Sequence, residues 1–430
     1  MPEASESSHP GYSPGHGASV DSPDMRRAGR DLLSLALIDA RNRTLHLLSL
    51  YEQALGSASL AMPRVEGVDP PVWLAGHVGW FAEWWIARNT QRAFGVDCPV
   101  RPTRLAAIEP NADAWWNPAQ VRTVDRWSPD MPDLEQTKAY LLETLEITLE
   151  LLEHAAETDA ALYFYRLALF HEDLCGEQLV VMAQTLGLRL GIELPAAAVT
   201  RSPVLVPATA WELGLSGPGF AFAQEGGSLR VAVPEFEIDA QPVTWSQFVE
   251  FVDDGGYDRP ELWRPEGQEW LAAQAEGRRG PRHVEQIGSA RQGTGGSVLQ
   301  QRFGRTVRAA DNQSVVHASW WEADAWARWA GRRLATEVEW EIAAQTASRR
   351  GFRWADVHEW TAGTLQPWDG FVADPWSEGT AFDPQPAFGK ARVLRGASFA
   401  TRARLRSPQR RSFAWPGRDD GFFGFRTCAL

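Results

Sequence analysis

The chain has 430 residues, with 42 Lys and Arg against 55 Asp and Glu, a formal net charge of −13. At roughly 100–200 residues per domain this length carries two or three domains, and the acidic balance argues against a nucleic-acid-binding surface, which carries a basic excess. No apolar run approaches the ~20 residues of a membrane-spanning helix, and three scattered cysteines, Cys98, Cys175 and Cys428, make no disulfide framework and fit a reducing cytoplasm.

Residues 1–24 are rich in Ser, Pro and Gly with no helical or strand period, which predicts a disordered tail. Arg26-Arg27 precedes only a short apolar run closed by Asp39 and Arg41, so the first turns of a helix are expected there rather than an export signal. Residues 25–190 carry a helical pattern. Leu33, Leu37, Ile38, Leu45, Leu48 and Tyr51 keep the spacing of one buried stripe. A second helix is predicted from Pro71 to about Phe94, a third over Leu134–Glu157, and a fourth from Asp159 to Leu186. Four helices with one long connection read as a four-helix bundle, whose core is a natural place for a metal.

Residues 191–209, with three prolines, read as a linker, and 210–430 as an α+β domain of short strands and irregular loops. Arg230–Val233 and Phe236–Ile238 are predicted strands. Thr244–Gln247, Ser319–Glu322 and Thr336–Glu339 are capping boxes that open helices.

His77 falls on the second helix, and His171 and Cys175 lie four apart on the fourth, hence on one helical face. Imidazole and thiolate both bind first-row transition metals. Glu177, six residues from His171, faces elsewhere and is better placed to orient a ligand histidine. From spacing alone, core histidines and a small buried thiol are the favoured reading over metal ligands. Twenty-one Trp residues include Trp73, Trp80, Trp84 and Trp85 on the second helix and Trp360, Trp368, Trp376 and Trp415 in loop-like segments, where an aromatic face can host a quaternary ammonium group. The arginine-rich stretch Arg402–Arg411 reads either as a solvated charged strand or as a patch that grips a carboxylate or phosphate.

Phe236–Thr244, His317–Ala323, Gly331–Glu341, Val393–Phe399 and the terminal Gly424-Phe425-Arg426 resemble the formylglycine-generating-enzyme fold, a C-type-lectin-like domain. The preceding bundle resembles a DinB-type domain. The two in this order, with Gly76-His77 and His171-Glu172 so placed, are similar to the iron-dependent sulfoxide synthases of ergothioneine and ovothiol biosynthesis and to their relatives the selenoneine synthases. The resemblance spans about residues 27–430. It implies an N-terminal DinB-like four-helix bundle followed by a lectin-like α+β domain. It also implies a non-haem Fe(II) enzyme that uses O2 to join sulfur or selenium to C2 of the imidazole of hercynine, the trimethylammonium form of histidine.

Under that resemblance His77, His171 and Cys175 are the metal ligands, with Glu177 supporting a ligand histidine. Trp368, Phe371, Phe413 and Trp415 line the hercynine pocket, Arg418 contacts the donor, and Arg122 and Arg126 add donor contacts. Three departures stand out. The family's His-x-x-x-His-x-Glu motif has Cys175 at its second His, so the third ligand is either this thiolate or water. The tyrosine that steers C–S bond formation is matched by Trp368. The Asp that holds the donor's amino group is matched by Ala414. A selenosugar lacks that amino group, so the selenoneine branch is the expectation. A thiol donor such as γ-glutamylcysteine or cysteine, or a non-catalytic descendant that binds a small molecule, are the alternatives. A formylglycine-generating activity needs a cysteine pair in the lectin-like domain, where only Cys428 lies.

Overall fold

The computed structural model describes residues 19–56, 60, 62–196, 199, 201–274, 277–288, 298–380 and 382–430. Nine α-helices occur among them: α1 Arg30–Leu55, α2 Pro71–Ala82, α3 Ala112–Trp116, α4 Leu134–Glu153, α5 Asp159–Thr185, α6 Trp245–Asp253, α7 Pro265–Ala272, α8 Trp320–Trp329 and α9 Glu337–Thr346. In the bundle, α1 and α2 each pack against both α4 and α5.

Local chemistry explains where these helices start and stop. Pro71 sits in the first turn of α2, where its missing N–H costs nothing. Asp133 and Gln136 cap each other's backbone at the start of α4, and Thr158 caps α5. Helix α4 ends at Glu153, a turn earlier than the sequence suggests. Helix α2 ends at Ala82 and passes into a π-helical turn over Glu83–Ala87, with Arg88 N–H donating to the Glu83 carbonyl at 2.9 Å. The Glu83 carboxylate explains the change, because it accepts from the Ile108 amide at 2.7 Å and from the Tyr140 hydroxyl. It therefore anchors the long connection to the end of the helix.

The second half is built on two four-stranded sheets. Val204–Val206, Phe236–Ile238, Thr427–Cys428 and Arg333–Leu334 form one, in that order. The pairing of Val204 with Ile238 brings part of the expected linker into the sheet. The other has the order Arg411–Ala414, Arg392–Gly396, His358–Thr364, Phe423–Phe425, with only the last pair parallel. The three capping boxes form where expected, at α6, α8 and α9. Of the predicted tail, residues 1–18 lie outside the described residues. Residues 19–24 pack on the second half, where Asp21 accepts from Arg402 at 2.8 Å and the Val20 carbonyl from Arg404 at 3.1 Å.

Helix α5 joins the two halves. Four of its residues spaced by seven contact the second half of the chain. Tyr163 donates to Asp374 at 3.0 Å, and Phe170 packs on Phe220 and Phe222. Glu177 accepts from Ser398 and Thr401 and meets His358 at 2.8 Å. Gln184 donates to the Gln301 carbonyl and accepts from the Phe303 amide. Seven residues are about two helical turns, so the four share one stripe. Beside that stripe Asp173 accepts two bonds from Arg404 at 2.6 and 2.8 Å, with the side chains 1% and 0% exposed. Replacing Arg404 with Met strands the Asp173 carboxylate in the interior. The expected cost is about 3–5 kcal/mol, measurable as a lower denaturant midpoint.

Candidate functional site

Helices α2 and α5 bring His77 and His171 together, with ring centroids 5.2 Å apart and the planes at 66°. Both are almost fully buried. His77 is held between Trp73 four residues before it and Trp80 three residues after it, at 5.4 and 5.5 Å. Its Nδ1 lies 3.0 Å from the Trp116 carbonyl. A carbonyl can only accept, so Nδ1 carries the proton and Nε2 keeps its lone pair. Gly76 makes this possible, because a Cβ there would overlap the Trp116 indole. His171 stacks on Phe81 at 3.7 Å and meets Phe382 edge-on at 5.7 Å. Among the described residues its one hydrogen-bond-range polar contact is the Cys175 sulfur, 3.9 Å from Nδ1 and 3.8 Å from Nε2.

Burial, partly opposed by the Trp116 bond and reinforced by the charge of Arg126, brings the His77 pKa down to about 4. Burial and the neighbouring His77 push His171 well below its ordinary value. Both rings are therefore neutral at neutral pH, the form that binds a metal. The pair fits a transition-metal ion, since one imidazole is fixed in orientation by a backbone carbonyl and the other has no hydrogen-bonded oxygen or nitrogen partner among the described residues.

The third predicted ligand does not join them. Among the described residues no group of three or more His, Cys, Asp or Glu side chains is arranged to hold a metal. Cys175 touches His171 because residues four apart on a helix are neighbours, and burial followed by the Glu172 carboxylate raises its pKa, keeping the thiol protonated. Glu177 also departs from its predicted role. It bonds His358, Ser398 and Thr401 rather than either ring, and the Trp116 carbonyl orients His77 instead.

Beside the pair lies a cavity of about 200 Å³ between the two halves, lined by Leu174, Phe222, Gln224, Glu225, Trp376, Phe382, Arg410, Arg411, Ser412 and Phe413. Trp376 and Phe382 connect it to the histidines, with Trp376 5.8 Å from Phe81 and Phe382 on His171. Phe413 is the one predicted aromatic that lines it. Trp368 is buried under Arg411 and against Gly214, Phe371 packs on Phe388, and Trp415 is 50% exposed. Trp376 had a visible signal as a loop tryptophan. Phe222, Phe382 and Leu174 had none, because only the packing of distant segments sets them around one space.

The predicted arginines also separate. Arg126 lies 3.7 Å over the Trp73 ring that stacks on His77 and pairs with Asp69 at 2.7 Å. Arg418 pairs with Asp420 at 2.6 Å, and Asp420 approaches the loop at Gly67, so both arginines lie along the seam between the halves. Arg122 is 78% exposed and pairs only with Asp125.

Residues 36–183 match the model of the DinB superfamily, and residues 194–356 match that of the sulfatase-modifying factor enzyme 1-like domain. The chain is 29% identical to the hercynine oxygenase of Mycolicibacterium smegmatis, over 93% of this chain and 99% of that one. It is also 29% identical to the hercynine oxygenase of Mycobacterium tuberculosis, over 92% and 98%. These matches support the ergothioneine-type sulfoxide synthase family. The formylglycine-generating enzyme of Streptomyces coelicolor, at 34% identity, aligns with only 29% of this chain and 54% of its own. The likeness to hercynine oxygenases thus runs through the helical domain that holds His77 and His171 as well as the lectin-like one.

Two predictions follow from the site's supports. Gly76→Ala forces Trp116 away from α2 and releases His77 Nδ1. It should lower stability by about 1–3 kcal/mol and weaken metal uptake, read by thermal melts and metal analysis. Asp374 holds the Trp376 segment through Tyr163 at 3.0 Å and the Ala223 amide at 2.8 Å. Burial, only partly opposed by those bonds, raises its pKa from 3.8 to about 6. The folded state thus binds this proton more tightly than the unfolded one. Its contribution to stability is full below about pH 4 and is lost as pH rises through 6. Melting temperatures from pH 4 to 7 should show this fall in the wild type and not in Asp374→Asn.

Proposed function

We propose that the protein is a non-haem Fe(II), O2-dependent enzyme that forms a carbon–chalcogen bond at C2 of the hercynine imidazole, with a selenosugar as donor. The observation that carries the reading is the neutral, buried pair His77 and His171, set behind Phe382 beside an aromatic cavity between a DinB-type and a lectin-like domain. Similarity to hercynine oxygenases over more than nine-tenths of the chain supports it. His77 and His171 would hold the metal, the third position would fall to the Cys175 sulfur or to water, and bound iron would supply O2 activation. Phe222, Trp376, Phe382 and Phe413 exclude water and receive the trimethylammonium group. Arg418 and Arg126 stand at the seam where a donor enters.

The selenium reading is supported by Ala414, which offers no carboxylate to a donor's α-amino group, and by the lack of tyrosine among the described residues lining the cavity. The names of the full-length relatives favour the second reading, an ergothioneine-type sulfoxide synthase that uses a thiol. The small-molecule substrates and free cysteines fit a reducing cytoplasm.

The test is anaerobic loading with Fe(II), then hercynine and O2 with a selenosugar, γ-glutamylcysteine and cysteine offered in parallel, products being read by mass. A selenium adduct from the selenosugar alone is expected. A sulfur adduct from γ-glutamylcysteine would establish the second reading. Without iron uptake or product the oxygenase assignment fails and a binding protein remains. His77→Ala and His171→Ala should each lose iron, while Cys175→Ser separates a thiolate ligand from water.

A further inference from the structure

The arginines of 402–411 were expected to be either a solvated face or an anion grip. Four of the five have partners of their own. Arg402 bonds Asp21 and Asp39, and Arg404 bonds Asp39 and Asp173. Arg406 bonds the Thr401 and Phe399 carbonyls, and Arg411 bonds Glu337. Arg410 differs. It is 6% exposed, it lines the cavity, and its side chain has no hydrogen-bond or ion-pair partner among the described residues.

A buried guanidinium without a hydrogen-bonded partner is costly, and neither nearby acid bonds it. Glu225, on the same cavity wall, accepts two bonds from Arg26 at 2.7 and 3.1 Å. Glu177 feels the charge of Arg410 but makes no hydrogen bond to it: its bonds to His358, Ser398 and Thr401 all fall on Oε1, and Oε2 is left without a hydrogen-bond partner among the described residues. The rest of the wall includes four aromatic rings, Phe222, Trp376, Phe382 and Phe413, a surface suited to a quaternary ammonium group. An unpaired guanidinium and an aromatic wall in one small cavity complement the two ends of an amino-acid betaine.

We propose that Arg410 is the anchor for the carboxylate of the imidazole-betaine substrate and makes the cavity selective for the zwitterion. This rests on the functional reading above. The carboxylate of a thiol donor such as γ-glutamylcysteine, under the second reading, is the other source of the same chemistry. The aromatic wall and the contact of Phe382 with His171 place the imidazole substrate at Arg410, whereas the donor end lies at the Arg126–Arg418 seam.

The test uses the full chain without iron and follows tryptophan fluorescence. Hercynine and its decarboxylated counterpart, trimethylhistamine, are titrated into wild type, Arg410→Lys and Arg410→Met. Wild type should bind hercynine at least about tenfold more tightly than the decarboxylated compound, as expected for a charge-assisted bond. Arg410→Met should abolish that ratio and Arg410→Lys should keep part of it. In turnover, Arg410→Met should raise KM for hercynine and leave KM for the donor unchanged. Equal binding of both compounds by wild type, or an unchanged ratio in Arg410→Met, overturns the anchor while hercynine binding itself survives. A raised donor KM alone also overturns it. Binding of neither compound by wild type removes the functional reading and the anchor together.

Discussion

The stripe of α5 that faces the second half of the chain is the constraint on which the rest depends. Asp173 and Arg404 are both withdrawn from water, and the Asp173 carboxylate is tolerable there because Arg404, which also pairs with Asp39, neutralises it. Tyr163, Phe170, Glu177 and Gln184 repeat the contact above and below that pair. The same helix carries His171 on another face, since consecutive residues turn by about 100°. His171 therefore points at α2 while Glu172 pairs with Arg41 on α1 and Asp173 reaches Arg404. One helix thus sets the histidine pair, the bundle and the interdomain seam at once.

The site is assembled from long-range supports rather than from a compact motif. His77 owes its orientation to a carbonyl 39 residues away, and that carbonyl reaches it because residue 76 has no side chain. The π-helical turn after α2 is held by a carboxylate that also fastens the long connection. The cavity wall comes from α5, the loop at 222–225, the residues Trp376 and Phe382, and the segment Arg410–Phe413 that enters a strand. A change in any one of these alters the space beside the histidines without touching them.

Much of the architecture was legible because it is local. Capping boxes, a first-turn proline and apolar periodicity depend on residues within a few positions, so α4, α5, α6, α8 and α9 fall near their expected bounds. The departures arise where distant groups intervene. Helix α2 was read too long because the side chain of Glu83 is claimed by Ile108 and Tyr140. Residues 204–206 were read as linker because their strand partners begin at residue 236. His77 and His171 could be named from their place in two helices, but the neutral state of both rings follows from burial, which no spacing encodes.

By itself the sequence determined the two-domain order, the helices that carry the histidines and the aromatic surplus beside them, all properties of composition and short-range pattern. Only the tertiary structure decided which side chains serve which purpose. Arg404, Arg410 and Arg411 are identical in kind and nearly adjacent. Arg404 is neutralised by Asp173 and Arg411 by Glu337, while Arg410 faces an aromatic cavity. Their roles differ because the energy of a buried charge is set by what packs against it, and those partners come from segments far away in the chain.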